Sequence, residues 1–159
     1  EQMLGSFMLG TLSTMAEVGS SGKSGSVFFF SNDGRFLVKT ISKGEKKSLF
    51  KMLRAYTLHV LRQPNTLISR FLGLHTLVEP RHSPMHLVVM NNVFETPREI
   101  HLKFDLKGST VGRTSNLDKS VPLWRTHKVL KDLDLEKPFK LDSKIRKELI
   151  KQIHLDCAF

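Results

Sequence analysis

A glycine-rich loop that runs directly into a β-hairpin pattern is the feature of this sequence that most constrains its fold. Residues 19–26 read Gly-Ser-Ser-Gly-Lys-Ser-Gly-Ser, which is typical of a flexible loop. The aromatic run Val27–Phe30 then predicts a buried strand, and Arg35–Ile41 predicts a second strand. Asn32-Asp33-Gly34 stands between them, and these residue types tolerate the positive φ angles of tight turns. The pattern therefore predicts a core built on antiparallel strands.

The remaining patterns add helices and further strands. Apolar residues at helical spacing predict a long helix over Glu45–Leu61 with a basic opposite side, and a shorter helix over Phe7–Val18. Apolar residues at steps of four predict a last helix over Ser143–Phe159. Three further strands are predicted, within Ile68–Val78, Met85–Met90 and Ile100–Leu106. A long polar loop is predicted over Gly108–Lys128. These patterns predict an α+β fold with a mostly antiparallel sheet flanked by helices.

The charge balance favours polyanionic partners. Lys and Arg number 25 against 15 Asp and Glu, so the 159-residue chain carries a net charge of +10. An excess of this size attracts nucleic acid, anionic lipid or phosphorylated substrates without choosing among them. The length fits one domain, and a single cysteine, Cys157, fits a reducing compartment. Apolar runs are far shorter than the ~18–20 residues of a membrane-spanning helix, so we expect any membrane contact to be peripheral.

A lysine in the second hairpin strand is the main candidate site residue. Gly22-Lys23-Ser24 invites comparison with a P-loop, but that motif needs a glycine where the chain has Glu17, and a helix afterwards. A flexible loop followed by a strand lysine, here Lys39, instead matches the way protein kinases hold nucleotide phosphates. By pattern alone, a solvent-facing hairpin lysine is the more frequent outcome. Glu45 is the nearest acidic partner, although the helix dipole alone favours a glutamate in a first helical turn.

The segment Phe104–Arg113 carries the most specific motif in the chain. Its Asp-Leu-Lys-Gly-Ser-Thr core resembles the hallmark of the phosphatidylinositol phosphate kinases. Six further pieces agree with that family in order and spacing: Gly22–Ser26, Arg35–Thr40, Asn65–Ile68, Phe71–His75, Val88–Phe94 and Leu130–Asp134. The resemblance covers nearly all of residues 7–159 and implies the N-terminal lobe of such a kinase. It implies a nucleotide-binding lobe over residues 7–111, an exposed insert loop over 112–142, and the start of a helix over 143–159.

The resemblance also implies a site for ATP with Mg²⁺. In the family the glycine-rich loop lies over the ATP phosphates, which assigns that role to Gly22, Lys23, Ser24, Gly25 and Ser26. Lys39 would contact the phosphates from its strand, and Lys107 would be a second phosphate ligand in the hallmark segment, beside Asp105. The hinge that lines the purine would be formed by Met90, Asn92, Val93 and Phe94. A compact ammonium suits these roles because it neutralises polyphosphate charge without demanding bidentate geometry.

A lipid substrate and an anionic membrane are the partners that the resemblance implies. Gly112-Arg113 and residues 115–119 look closest to type I enzymes, which convert phosphatidylinositol 4-phosphate to the 4,5-bisphosphate on the cytoplasmic face of membranes. The family places a flat basic surface against the lipid, and the candidates here are Lys43, Lys47, Lys51 and Arg54, although charged helix faces are more often simply solvated. A homodimer through the family's dimer surfaces is a further implied partner. Nucleic-acid motifs and zinc-ligand spacings are not found in the sequence.

The catalytic parts of the family do not match any segment of the sequence. Family members continue past the Ser143–Phe159 helix into a Met-Asp-Tyr-Ser-Leu-Leu loop with the catalytic aspartate, followed by a metal-binding aspartate and a specificity loop. We therefore expect the catalytic aspartate beyond Phe159, and we expect this chain alone to be inactive or nearly so. The alternative is a non-catalytic module that binds nucleotide or lipid and sequesters a substrate or a partner.

Overall fold

Five antiparallel strands form the main sheet of the protein. The computed structural model describes residues 16–18, 26–116 and 129–159. The strands are β1 (Ala16–Val18), β2 (Phe28–Phe30), β3 (Phe36–Ile41), β4 (Phe71–Leu77) and β5 (Met85–Asn91). They pair in the order β1-β2-β3-β5-β4, so β3 lies at the centre of the sheet. Its residues Leu37, Val38 and Lys39 are paired on both sides, with β2 and with β5.

The predicted hairpin and long helix are confirmed. The turn between β2 and β3 contains Gly34 at φ +70°, a backbone conformation that favours glycine, and the Gly34 amide donates to the Ser31 carbonyl at 2.8 Å. The long helix α1 covers Lys43–Arg62 and starts at the N-cap Ser42. It buries Tyr56, whose hydroxyl donates to the Ser69 carbonyl at 3.1 Å and accepts from the Phe71 amide at 2.8 Å. These bonds attach the helix to the start of β4.

The predicted helix over Phe7–Val18 is wrong at its C-terminal end. Ala16–Val18 forms β1 and pairs antiparallel with Phe28–Phe30, and the rest of the predicted helix lies outside the described residues. A few apolar residues at helical spacing did not outweigh the backbone pairing that β2 offers, because tertiary context overrides weak local preference. In the sequence, the glycine-rich residues 19–25 therefore stand between two paired strands rather than between a helix and a hairpin.

The chain divides into two compact units. The first, called here the sheet unit, consists of Glu1–Glu95 and Lys147–Phe159, and the second, called the small unit, consists of Thr96–Arg146. The small unit contains β6 (Phe104–Asp105), β7 (Leu130–Lys131) and a 3-10 helix (Asp132–Asp134). The helix α2 (Ser143–Cys157) begins in the small unit and ends in the sheet unit. The α+β class is confirmed, whereas the boundaries predicted at residues 111 and 142 stay predictions.

β6 and β7 pair in parallel, with Phe104 opposite Leu130 and Asp105 opposite Lys131. The strand predicted over Ile100–Leu106 is thus shorter than expected, because only two of its residues find a partner strand among those the structure describes. Leu130 is fully buried and forms the core of this pair. The described residues of the small unit contain little regular structure, so side chains must supply much of their order.

Candidate functional site

Lys39 lies in the middle of the central strand β3. It is opposite Phe28 of β2 and Val88 of β5, so the backbone on both sides fixes the direction of its side chain. Its ammonium lies 5.9 Å from the centroid of the Phe28 ring, and the side chain is 24% exposed. A half-buried ammonium whose direction is fixed by a sheet is well placed to attract an anion that approaches from solvent.

Glu45 both caps α1 and pairs with Lys39. Its Oε1 lies 3.4 Å from Lys39 Nζ, while its Oε2 accepts a hydrogen bond from the Ser42 amide at 2.7 Å. The Ser42 hydroxyl in turn accepts from the Glu45 amide at 3.1 Å, which completes a capping box. The hydrogen bond from the Ser42 amide is the main cause that lowers the pKa of Glu45, and the charge of Lys39 adds to it. The sequence left open whether Glu45 serves the start of the helix or pairs with Lys39, and in the structure it does both.

A cavity of about 510 Å³ opens beside this ion pair, between the sheet and α1. Lys39 and Glu45 supply its charged groups, and its walls are mainly apolar. The apolar wall residues include Ile41, Met52, Phe71 and Met90. A cavity of this kind combines an apolar interior with one cation at the rim, which is the usual composition of a small-molecule site.

The predicted hinge after β5 is attached to the turn before β3. The Asn92 side-chain amide donates to the Gly34 carbonyl at 2.7 Å, and its Oδ1 accepts from the Phe94 amide at 3.0 Å. The Asn92 backbone amide donates to the Arg35 carbonyl at 2.9 Å, and Arg35 forms an ion pair with Glu95 at 3.1 Å. The side chain of Asn92 thus holds the protein's own backbone.

The other predicted nucleotide contacts of the sheet unit differ in what the structure describes. Val93 and Phe94 are exposed, and Met90 lines the cavity. Ser26 is buried directly before β2. The remaining loop residues, Gly22, Lys23, Ser24 and Gly25, lie outside the described residues. Their assignment to the phosphates stays a prediction, as do the hinge contacts.

Asp105 and Lys107 contact each other in the small unit. Lys107 Nζ lies 2.9 Å from Asp105 Oδ1, and the hydrogen bond from Lys107 is the main cause that lowers the pKa of Asp105. The Lys107 side chain is 61% exposed, so its ammonium is accessible to solvent. The predicted phosphate ligand Lys107 therefore has the exposure that such a role needs.

Asp132 is the residue of this region that the sequence did not single out. It accepts hydrogen bonds from the Lys107 and Gly108 amides at 2.9 and 2.8 Å and forms an ion pair with Arg113 at 2.6 Å. The Arg113 hydrogen bond is the main cause that holds the pKa of Asp132 well below its usual range. Asp132 is 25 residues from Lys107 along the chain. In the sequence, Asp132 belongs to Leu130–Asp134, one of the segments that resemble the kinase family, but that resemblance assigned no role to Asp132.

The basic residues of α1 share one exposed side of the helix. Lys43, Lys47, Lys51 and Arg54 are spaced by four, four and three residues, and all of them are exposed. Two large apolar residues that the sequence did not assign, Phe50 and Leu61, are exposed on the same side. Lys46 differs, because its ammonium donates to the Thr76 hydroxyl at 2.7 Å.

Neither a metal-ligand cluster nor a membrane-spanning helix is found among the described residues. In residues 26–116 and 129–159, no group of three or more His, Cys, Asp or Glu side chains is arranged to hold a metal ion. No helix in the part of the chain that the structure describes is long and apolar enough to cross a membrane.

A comparison with protein families decides where this chain belongs. The family model described as Phosphatidylinositol-4-phosphate 5-Kinase matches residues 9–159. The chain belongs to the phosphatidylinositol-4-phosphate 5-kinase family. The resemblance carried by the Asp-Leu-Lys-Gly-Ser-Thr core is thereby confirmed, and the match includes both Lys39 and Lys107.

Curated relatives from plants and yeast agree with this assignment. Phosphatidylinositol 4-phosphate 5-kinase 7 of Arabidopsis thaliana is 43% identical over 145 residues, which cover 91% of this chain and 19% of the relative. Phosphatidylinositol 4-phosphate 5-kinase 1 of Oryza sativa is 41% identical over 158 residues, covering 92% of this chain and 19% of the relative. Phosphatidylinositol 4-phosphate 5-kinase its3 of Schizosaccharomyces pombe is 49% identical over 118 residues, covering 74% and 16%. The chain spans about a fifth of the length of these relatives.

Proposed function

We propose that this chain forms the ATP-binding part of an enzyme that phosphorylates phosphatidylinositol 4-phosphate to the 4,5-bisphosphate. Family membership supports the reaction class, and the names of the relatives support the lipid. The observation that carries the nucleotide part is the position of Lys39, on the central strand and paired with Glu45 at the rim of a cavity.

The residues around Lys39 fit a nucleotide. The Lys39 ammonium neutralises phosphate charge, and Glu45 holds the ammonium in place before the phosphates arrive. The apolar walls of the cavity suit a group that leaves water. Mg²⁺ accompanies ATP in kinases and neutralises the charge that develops on the phosphates. The described residues do not supply a metal cluster, so we assign no Mg²⁺ ligand to them.

Replacement of the strand lysine tests the nucleotide part of this proposal. Lys39→Met keeps the length of the side chain and removes the charge, so ATP binding should weaken about a hundredfold while the fold remains. The matched control is Lys140→Met, which removes the same charge from an exposed position of the small unit. Isothermal titration with ATP measures binding, and circular dichroism checks the fold. Equal ATP affinity of Lys39→Met and wild type would remove Lys39 from the site.

The lipid part is tested separately in a complete kinase that carries this chain in place of its own matching segment, with labelled ATP and vesicles that contain phosphatidylinositol 4-phosphate. Label in the bisphosphate supports the kinase. ATP binding without labelled lipid supports the alternative function of this chain, a module that binds nucleotide without turnover. If the wild-type chain binds no ATP, the nucleotide site itself is refuted.

We further propose that the exposed basic side of α1 binds the anionic membrane that carries the lipid. Each basic residue near such a surface contributes ~1 kcal/mol of attraction. Reversal of Lys47, Lys51 and Arg54 to Glu should therefore weaken sedimentation with phosphatidylinositol 4-phosphate vesicles at least about a hundredfold. Reversal of Lys137, Lys140 and Lys144 changes the net charge equally and is the control. Equal loss in both variants would mean that net charge, and not this side of α1, drives binding.

A further inference from the structure

The exposed side of α1 carries apolar residues in the same row as its basic residues. This row, called here the α1 row, consists of Lys43, Lys47, Phe50, Arg54 and Leu61. Its members follow one another at steps of four, three, four and seven residues. Because an α-helix has about 3.6 residues per turn, these steps place the five side chains along one line of the helix. At about 1.5 Å per residue, that line is about 27 Å long.

The two apolar members of the α1 row are mostly exposed. Phe50 is 58% exposed and Leu61 is 74% exposed. The helix packs on the sheet through other residues, since Tyr56 is buried and Met52 lines the cavity between α1 and the sheet. Most of the surface of Phe50 and Leu61 therefore does not contribute to the contact between α1 and the sheet.

The basic members of the α1 row are accessible to an anion. Lys43, Lys47 and Arg54 are exposed, and in the described part of the chain none of them forms an ion pair. Long basic side chains can lay their apolar stems along an apolar surface while the charged ends reach a polar layer. The row therefore combines unpaired positive charge with apolar surface over its whole length.

A bilayer that contains anionic lipids matches both parts of the α1 row. Headgroup phosphates pair with the basic groups, and apolar side chains at the interface enter the boundary of the acyl chains. A second copy of this chain is a poor match, because a symmetric contact would place the basic residues of one copy against those of the other. A protein partner would have to offer acidic and apolar groups in the same alternation, whereas a bilayer offers both along any line.

We propose that α1 lies along the membrane surface and inserts Phe50 and Leu61 below the level of the lipid phosphates. The basic members of the α1 row bind those phosphates. The inference rests on the proposed membrane contact of α1 and adds a hydrophobic component to it. Salt screens the attraction between charges but does not remove the gain from taking apolar groups out of water. Membrane binding through α1 should therefore persist in part at a salt concentration that abolishes purely electrostatic binding.

The first test replaces both apolar residues of the row with glutamine in the full chain. Phe50→Gln with Leu61→Gln keeps the net charge, and glutamine is a good helix former, so α1 should remain intact. We expect the affinity for vesicles of phosphatidylcholine and phosphatidylserine to fall about thirtyfold, because two large apolar side chains no longer leave water. Sedimentation at about 0.1 M and about 0.5 M salt should show a loss of similar size at both concentrations.

The matched control is Phe139→Gln with Leu141→Gln. These residues are 66% and 43% exposed in the small unit, so the control removes the same two types of exposed side chain from another place. It should leave the affinity for the vesicles unchanged. Circular dichroism checks the fold of both variants. An equal loss in the control would overturn the inference, because any exposed apolar pair would then have the same effect.

The reversal of Lys47, Lys51 and Arg54 to Glu separates this inference from the proposed function. If the reversal weakens vesicle binding and the glutamine variant of the α1 row does not, α1 binds by charge alone. Insertion is then overturned, while the proposed membrane contact stands. If neither variant weakens binding, the proposed contact of α1 is itself refuted. A dimer that the glutamine variant dissociates, with unchanged vesicle affinity, would assign the row to a contact between copies and overturn insertion.

The second test measures insertion in a chain that keeps the rest of the row. An apolar fluorophore is attached at Phe50→Cys in a Cys157→Ser background, because Cys157 is exposed. The matched position is Ala55→Cys, which is exposed on α1 outside the row. Lipids with a nitroxide on the acyl chain should quench the fluorophore at position 50 and leave the one at position 55 bright. Equal fluorescence at the two positions would overturn insertion through the α1 row.

Discussion

Two lysines of this protein are held in opposite ways in the two units. Lys39 lies on the central strand of a five-stranded sheet, with paired strands on either side, and is 24% exposed. Lys107 follows a parallel pair of two residues per strand and is 61% exposed. Each lysine has a carboxylate partner, Glu45 for the first and Asp105 for the second. The difference lies in what holds the backbone beneath them.

The backbone at Lys39 is held by strand pairing, whereas the backbone at Lys107 is held by side chains. At Lys39 the backbone ladder exists whatever the neighbouring side chains are, so most substitutions nearby leave its position unchanged. At Lys107 the conformation depends on a carboxylate and a guanidinium, Asp132 and Arg113. The position of Lys39 should therefore tolerate substitutions nearby, whereas the position of Lys107 should be sensitive to them.

The largest effect on stability is expected at Leu130, which is fully buried in the small unit. Its replacement tests whether the two units respond separately to mutation. Leu130→Ala removes the core of the β6–β7 pair and should destabilise this unit by about 3 kcal/mol. Amide hydrogen exchange measures the effect at Leu130, whose N–H donates to the Lys103 carbonyl at 2.8 Å. We expect faster exchange there and unchanged exchange in β3 and β5.

The matched control for this experiment is Leu133→Ala, because Leu133 is 54% exposed and lies in the adjacent 3-10 helix. Its replacement should change stability by less than about 0.5 kcal/mol. If Leu130→Ala accelerates exchange in β3 as strongly as in β7, the two units do not unfold separately and the contrast fails.

The next effect concerns Asp156, a carboxylate that collects donors in the sheet unit as Asp132 does in the small unit. It forms hydrogen bonds of 2.7–2.9 Å with Leu67 N, Thr66 Oγ1, His59 Nε2 and Gln152 Nε2. Asp156→Asn should cost about 2 kcal/mol in the free energy of unfolding, because four donors, three of them in partly buried bonds, lose a charged acceptor. Urea unfolding measures this cost, and Glu148→Gln on the exposed side of α2 serves as the control.

The stability due to Asp156 should also depend on pH. Burial raises the pKa of Asp156, but its hydrogen bonds outweigh burial and hold the pKa below the ordinary value of 3.8. Since the folded-state pKa is the lower one, the stabilisation is complete above pH 3.8 and is lost as the pH falls below it. The difference between wild type and Asp156→Asn should therefore shrink in acid. A difference that stays constant down to pH 2 would contradict this origin.

The smallest effects are expected at two glycines with positive φ, one in each unit. Gly34 has φ +70° and Gly108 has φ +64°, and a Cβ on either would meet nothing within 4 Å. Alanine should therefore cost only the backbone strain, about 1 kcal/mol at each position. Gly44→Ala is the control, since Gly44 lies in α1 and alanine there should stabilise the helix by about 0.5 kcal/mol. Thermal unfolding distinguishes the two signs.

The sheet and α1 could be predicted because their signals are local. The Asn32-Asp33-Gly34 turn, the aromatic run before it and the helical periodicity after Lys39 each lie within about twenty residues. The short strand β1 could not be predicted in this way, because Ala16–Val18 becomes a strand only through pairing with Phe28–Phe30. Local preference is weak there, and the partner strand decides.

The position of a candidate site residue could be predicted where its contacts are with its neighbours along the chain, whereas its role in binding stays a prediction. Lys39 was found from its hairpin, and its pairing with Glu45 joins residues six apart. Asp132 was missed because its partner Lys107 is 25 residues away and no spacing rule relates the two. The side-chain bond from Asn92 to Gly34 spans 58 residues and was missed for the same reason.

The bond from Asn92 to Gly34 connects the segment after β5 with the turn before β3, so the two should move together. Asn92 joins the two segments through its backbone and its side chain, and the Arg35–Glu95 ion pair joins them again. A ligand that displaces the segment after β5 should therefore also displace the turn at Asn32. This turn lies at the end of the hairpin that is farther from Lys39 and the cavity. A fluorescent label on the exposed Asn32 would thus test from outside whether a ligand occupies the predicted hinge.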